Sequence, residues 1–159
     1  MKNTFKVLWM TAIVAVVGFS FASCISFGGS GEDNGNGGLG RMGAMGAMAP
    51  AEWPSSDVWE QNGVAGGLQQ PSGTTVTMVH TGTYAGMVVF SVGLEKANRA
   101  AFDNLVSQVE RKGWTVYEKE SSRREEAISF VKGNNGIVIS FNIRDNEVGI
   151  MASPNAHDD

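Results

Sequence analysis

The spacing of apolar residues along the latter half of the chain alternates between the period of a strand and that of a helix. A period of two covers Thr74–His80 and Met87–Val92, which is typical of half-buried strands. The intervening Thr81–Gly86 is rich in turn residues. We therefore predict a hairpin, with Val76 and Met78 on one side of its first strand.

One long helix is predicted over Leu94–Lys112. Its C-terminal end has three signals, because Arg111 and Lys112 complement the helix dipole, Gly113 suits a left-handed cap, and the hydrophobic Trp114 fits a Schellman ending. Charged and polar residues occupy the other positions of the helix. The apolar stripe consists of Leu94, Ala101, Phe102, Leu105, Val106 and Val109.

Further strands follow this helix. Asn134-Asn135-Gly136 and Arg144–Glu147 are predicted hairpin turns, and the alternating charges of Glu118–Glu126 predict a solvated hairpin tip. Ile137, Ile139, Phe141 and Ile143 would share one apolar face of their strand. The predicted strands are Trp114–Lys119, Ala127–Lys132, Gly136–Ile143 and Val148–Ala152.

A short helix precedes the strands. Pro54–Gly63 combines Pro and Ser at its start with Asn-Gly at its stop, and Trp53 and Trp59 would anchor it. The predicted fold class is α+β. We expect a two-layer sandwich over residues 52–152, in which the long helix packs on an antiparallel sheet of about five or six strands. Residues 153–159 form a polar tail.

The sheet face turned away from the helix is the candidate partner-binding surface. It mixes apolar and small polar side chains, as protein-binding surfaces do. Alternatively, Trp53–Asn62 packs over this face and completes a second small core. The residues expected there are Thr75, Thr77, Met87, Val89, Ser129, Val131, Val138, Ser140 and Met151.

Composition excludes several functional classes. With 12 basic and 16 acidic residues the net charge is −4, which argues against nucleic-acid binding. A single cysteine excludes an internal disulfide and a cysteine-based zinc site. No catalytic motif is present. His80 has no proposed partner, and Glu118 and Glu120 share a strand face without forming a convincing carboxylate pair. We predict neither an enzyme nor a cofactor.

The N-terminus predicts a targeting segment. Lys2 and Lys6 precede an uncharged run over Val7–Phe19 of about thirteen residues, which is shorter than the ~20 that a membrane helix needs. Small residues then lead to the only cysteine, in Ala22-Ser23-Cys24.

This arrangement resembles the signal of bacterial lipoproteins that are cut by signal peptidase II, although Phe21 replaces the usual Leu. The resemblance implies removal of residues 1–23, acylation of Cys24 and attachment to a lipid bilayer of the cell envelope. The residue after the cysteine is Ile25 rather than Asp, which by the resemblance points to the outer membrane. The mature chain would carry a net charge of about −6, so lipid rather than charge would hold it at the membrane.

Residues 24–51 predict a flexible tether rich in Gly, Ala, Ser and Met. Met42, Met45 and Met48 recur at three-residue spacing and are weak candidates for Cu(I), which favours thioether ligands. Incidental methionines in a small-residue linker are the simpler interpretation, and no other metal site is predicted. The Glu32–Gly37 segment lacks the ligand spacing of a calcium loop.

Two functional hypotheses follow. The first is a non-enzymatic lipoprotein that binds another envelope protein or assists assembly, and the second is a lipoprotein that binds a small ligand or copper. The sequence Arg111-Lys112-Gly113-Trp114 before strands loosely resembles helix-plus-sheet modules of many uncharacterised bacterial lipoproteins. That likeness covers residues 94–152 and implies no activity.

Overall fold

The computed structural model describes residues 51–84 and 86–156 of the chain. Within these residues there are two helices, α1 (Ser56–Gln61) and α2 (Arg99–Arg111). The strands are β1 (Thr75–Tyr84), β2 (Met87–Glu95), β3 (Thr115–Ser121), β4 (Glu125–Lys132), β5 (Asn135–Asn142) and β6 (Glu147–Ser153).

The six strands form one antiparallel sheet in the order β1-β2-β6-β5-β4-β3. The C-terminal strand β6 therefore lies between β2 and β5, and joins the first hairpin to the last three strands in the order. The predicted α+β class with an antiparallel sheet is confirmed. The order follows from a single crossover, since α2 carries the chain from β2 to the far edge at β3.

The helix is shorter than predicted, with 13 residues. Leu94 belongs to β2 and is buried there, and Lys96 then adopts a left-handed backbone with φ of 54°. The Asn98 side chain caps the helix by accepting a hydrogen bond from the Ala101 N–H at 3.1 Å. A buried Leu satisfies both the strand and the helix pattern, and the capping residue decides where the helix begins.

The predicted Schellman ending is confirmed. The Trp114 N–H donates to the Val109 carbonyl at 3.4 Å and the Gly113 N–H donates to the Glu110 carbonyl at 2.9 Å, which is the bond pair of that motif. Gly113 has a φ of +79°, and Trp114 is buried directly after it. The chain thus leaves the helix already anchored for β3.

One face of the sheet, called the helix face below, carries the core. Phe90, Ile139 and Ile150 lie on its central strands, and Phe102 of α2 stacks on Phe141 with ring centroids 5.6 Å apart. Together with Trp59 and the apolar side of α2, these strands form one cluster of buried residues. The core is therefore one-sided.

The N-terminal segment packs on the helix face beside α2. The Trp59 ring is fully buried and meets Phe90 edge-on at 5.1 Å, and Trp53 lies 5.5 Å from Trp59. The loop after α1 is tied to α2 because Gln108 donates to the Gln69 carbonyl at 3.0 Å and accepts from its N–H at 2.8 Å. The alternative in which Trp53–Asn62 covers the other face is therefore wrong.

A β-bulge corrects the predicted facing of β1. Val76 pairs with Leu94 and Met78 pairs with Gly93, so the register of the β1–β2 pair shifts by one residue between them. Two residues of β1 thus oppose one step of β2, which moves Met78 to the face opposite Val76. The sequence analysis placed Val76 and Met78 on the same side because strict alternation of a strand does not reveal a bulge.

Further boundaries differ from the predictions, and Ser153, expected in the polar tail, belongs to β6 and is buried. β1 continues through His80 to Tyr84, so the turn is only two residues long. The turn between β4 and β5 falls at Gly133-Asn134, where Gly133 has a φ of +58°, rather than at the Asn-Gly pair. Ile143 follows the end of β5 and is 42% exposed instead of sharing the apolar face.

We expect Gly113→Ala to lower the free energy of unfolding by about 1–2 kcal/mol, the cost of a left-handed backbone for a residue with a Cβ. The new Cβ has room, since the nearest contact is the Lys132 Nζ at 3.9 Å. Gly113→Asn should cost less, because Asn tolerates this conformation. Ser107→Ala on the exposed side of α2 is the control for urea unfolding. Equal stability of Gly113→Ala and the parent chain would contradict the cap.

Candidate functional site

The face opposite the helix face, called the second face below, holds the side chains that the sequence predicted for partner binding. Cross-strand pairs align Ser91 with Met151, Met151 with Val138, and Val138 with Ser129. Because paired residues point to the same side of a sheet, these four form one row across the central strands. Thr75, Met87, Val89, Val131 and Ser140 share that face by their register.

Thr77 also reaches the second face, through the bulge in β1. A Cβ placed on Gly93 would meet the Thr77 Oγ1 at 3.0 Å and the Met78 Cβ at 3.5 Å. Both side chains therefore lie over Gly93. The bulge adds Met78 to the predicted set and keeps Thr77 in it.

Small residues form a shallow trough across the middle of this face. The row next to Met151 aligns Met78 with Gly93, Gly149 with Ser140, and Ser140 with Ala127. Val138 is 4% exposed and Ser140 is 6% exposed, so the centre of the face is closely packed, while the surrounding Met87, Val89, Val131 and Met151 are half-buried. The result is a mixed surface, in which serines such as Ser91 and Ser129 lie among methionines and valines.

Several residues outside the sheet pack against the core, and they lie on the helix face. Ala51, Trp53 and Val58 pack against the core, as do Val64 and Leu68. Within residues 51–84 and 86–156, both helices contact the core from the helix face. The second face has a buried centre at Val138 and Ser140, and its half-buried surroundings at Met87, Val89 and Met151 offer area for contact.

Four glutamates line one margin of the second face. Glu95 pairs with Thr75, Glu147 and Glu125 both pair with Asn142, and Glu120 pairs with Ala127. None of the six described strands places a lysine or arginine on this face, since Lys119 and Lys132 point to the helix side. The charged residues that the strands themselves place on this margin are therefore all carboxylates, next to a less polar centre, while Lys96 and Arg144 lie in the adjoining turns.

Burial raises the pKa of Glu147 above its ordinary value, and the charges of Asp145 and Glu95 raise it further. Burial likewise raises the pKa of Glu125, with a smaller contribution from Glu120. Both carboxylates are half-buried, and the strands place no lysine or arginine beside them on this face. Their charge is thus disfavoured in the free protein and would be relieved by a basic partner.

Sequence reasoning missed this acidic margin because its members are far apart along the chain. Glu95 ends one strand, Glu147 begins another, and Glu120 and Glu125 flank a hairpin turn. Only the strand order brings them to one edge of the face. The margin could have been found from the side of its strand on which each glutamate lies, if the order of the strands in the sheet had been known.

A shallow cleft of about 260 Å³ lies elsewhere, between the loop after α1 and the C-terminal end of α2. Two of its polar side chains are paired within the chain, since Gln108 bonds to Gln69 and the Lys112 Nζ donates to the Gly66 carbonyl at 3.2 Å. The lining residues are Gly66, Gly67, Gln69, Gln108, Arg111 and Lys112. These bonds hold the loop on the helix and leave little polar chemistry for a ligand.

The other candidates give no constellation of reactive groups. Within the described ranges, no cluster of His, Cys, Asp and Glu could hold a metal ion, and no helix is long and apolar enough to cross a membrane. His80 is exposed on β1, and Glu118 and Glu120 share the second face near β4. The predicted signal segment, Cys24, the tether with Met42, Met45 and Met48, and His157 in the tail lie outside the described residues.

Comparison with known protein families, with curated proteins and with solved structures gives no significant match.

We expect Glu147→Gln to stabilise the protein at pH 7. A carboxyl with a raised pKa binds its proton more tightly in the folded than in the unfolded chain, so its contribution to stability is most favourable below the unfolded-state pKa. That contribution falls as the pH rises through the folded-state pKa. Removing the charge should raise the free energy of unfolding by a few tenths of a kcal/mol at pH 7, the scale of exposed charge interactions.

Thermal unfolding at pH 4 and pH 7 measures this effect. The variant should lose less stability than the parent chain between the two pH values, while Glu52→Gln, an exposed change before α1, should behave as the parent does. A Glu147→Gln variant that is less stable at pH 7 would show that the carboxylate has a favourable partner.

Proposed function

We propose that this protein is a lipid-anchored bacterial envelope lipoprotein, attached through acylated Cys24. It acts by contact rather than by catalysis, and its second face binds another envelope protein. The observation that carries the proposal is the six-stranded sheet whose two helices both lie on one face in the described part of the chain.

The predicted anchor supplies the first support. Lys2 and Lys6, the uncharged run over Val7–Phe19 and the small residues before Cys24 match a lipoprotein signal. Each buried CH₂ of an acyl chain contributes ~0.8 kcal/mol to membrane attachment, so two or three chains hold a protein stably at a bilayer. Because the residue after Cys24 is Ile25 and not Asp, we propose that the anchor lies in the outer membrane.

The geometry of the described residues agrees with such an anchor. The described chain begins at Ala51, which packs against the core on the helix side, and 26 residues separate Cys24 from it. A flexible segment of that length spans on the order of 30 Å. Ala51, at which the proposed tether would join the domain, therefore lies on the side opposite the second face.

The chemistry of the second face defines the partner. Met151, Val89 and Val131 offer half-buried apolar area around the trough. Glu147 and Glu125 offer carboxylates whose pKa is raised by burial and by neighbouring carboxylates. A complementary surface would present apolar side chains flanked by lysine or arginine. We therefore propose a protein partner with a basic margin beside an apolar centre.

Among the described residues, no observation favours the alternative of a small-ligand or copper-binding lipoprotein. The cleft at Gln108 uses its polar groups within the chain. The methionines proposed for Cu(I), Met42, Met45 and Met48, are tested only by direct titration with the metal.

We expect Cys24→Ser to release the protein from the membrane. The parent chain should fractionate with membranes and carry the added mass of acyl chains at Cys24, and the variant should carry no acyl mass. Mass spectrometry of the full-length expressed chain, together with membrane fractionation, measures both properties. Unchanged mass and unchanged fractionation in the variant would contradict lipid anchoring.

In-cell crosslinking of the anchored chain tests the partner surface. Val89→Arg places a cation on the apolar part of the second face and should reduce the crosslinked partner at least tenfold, which corresponds to about 1.4 kcal/mol. Ser107→Arg, on the exposed side of α2, is the matched control and should retain the partner. Equal capture by both variants, or a partner peptide without basic residues, would contradict the proposed surface.

A further inference from the structure

Formal charge is distributed unevenly along the chain and across the sheet. No Asp, Glu, Lys or Arg occurs between Glu60 and Glu95, a segment that includes all of β1 and nearly all of β2. The acidic and basic residues of the sheet lie on the later strands instead. One lateral edge of the sheet is therefore uncharged, apart from the titratable His80.

The two edge strands differ in how they are protected. β3, at one edge, carries Glu118, Lys119 and Glu120 in succession and has a register shift before Glu118, and charges and bulges of this kind discourage strand pairing. β1, at the other edge, has ten residues with no proline and no Lys, Arg, Asp or Glu. No described strand pairs with the outer side of β1.

Exposed apolar side chains lie beside the uncharged edge. Val79 of β1 is 38% exposed and Val88 of β2 is 44% exposed, and both point to the helix face through their register. Val88 lies beyond the β2–β6 pairing, which covers only Phe90 to Leu94. Val79 lies on the edge strand opposite Val92.

We propose that β1 is a self-association edge, at which the β1 strands of two copies of this chain pair in antiparallel orientation. The bulge disturbs only the beginning of the strand, which leaves Val79–Tyr84 regular and available for backbone hydrogen bonds. The paired sheets would continue through both copies. Side by side on the helix face, the two hairpins would shield Val79 and Val88 from water.

A second copy fits this edge because a two-fold arrangement places the same strand against itself. Strands that carry lysine or glutamate at the edge repel their own copies, whereas β1 carries neither residue. The exposed valines are also self-complementary, since apolar surface on one copy meets apolar surface on the other. The proposal concerns the edge of the sheet and depends on neither the lipid anchor nor the second face.

Photo-crosslinking of the full-length chain in cells tests this pairing. A photoreactive amino acid replaces Thr81 on β1 or, as the matched control, Lys119 on β3, because both are exposed, both point to the helix face, and they lie on opposite edges. Mass spectrometry should identify an adduct of two copies from position 81, with at least a tenfold lower yield from position 119.

A charge at the edge supplies the second measurement. With the photoreactive group at position 81, Val79→Lys should reduce the two-copy adduct at least tenfold, because it places like charges at the junction. Ser121→Lys on β3 should leave the adduct unchanged, and thermal unfolding checks that both variants fold. The proposal is overturned by the absence of a two-copy adduct at position 81, by equal yields at 81 and 119, by adducts only with other proteins, or by an adduct that persists in Val79→Lys.

Discussion

The architecture depends on a one-sided core. Trp59 of α1 meets Phe90 edge-on, Phe102 of α2 stacks on Phe141, and both helices lie on the same face of the sheet. Burial of apolar surface drives this packing, and every large cluster member belongs to that side. The fold therefore has a helix face, on which both helices pack, and a second face on the other side of the sheet.

The insertion of β6 between β2 and β5 connects that core to the candidate site. Ser91, Val138 and Met151 are far apart in sequence, yet they form one row because β6 bridges the hairpin and the later strands. The pKa of Glu147 is raised by burial and by Asp145, and the same insertion brings Glu95 close enough to raise it further. The apolar trough and its acidic margin are thus consequences of a single topological step.

Local signals in the sequence predicted much of this fold. Gly113 and Trp114 mark the end of α2, and alternation locates most of the strands, because these patterns depend on neighbours along the chain. The start of α2 was predicted too early because Leu94 suits either a strand or a helix. The direction in which Met78 points depends on a bulge, which has no comparable local signal.

Long-range features were harder to predict. Most of the residues assigned to the second face were correctly grouped by parity, since alternation fixes which side of a strand a residue occupies. The position of α1 depends on where Trp59 finds a complementary surface, which neither its pattern nor its caps determine. The acidic margin required the strand order, which the sequence left open.

The central claim is that the second face is accessible in the protein alone and covered in the cell. Met78, Met87 and Met151 report on it directly, because all three lie on this face and are half-buried, and peroxide oxidises accessible thioethers. Oxidation of each methionine would be compared by mass spectrometry between the purified full-length chain and intact cells. The account predicts ready oxidation in the purified chain and strong protection in cells. Equal oxidation in both settings would contradict a partner on this face, and protection in the purified chain would show that the chain covers the face itself.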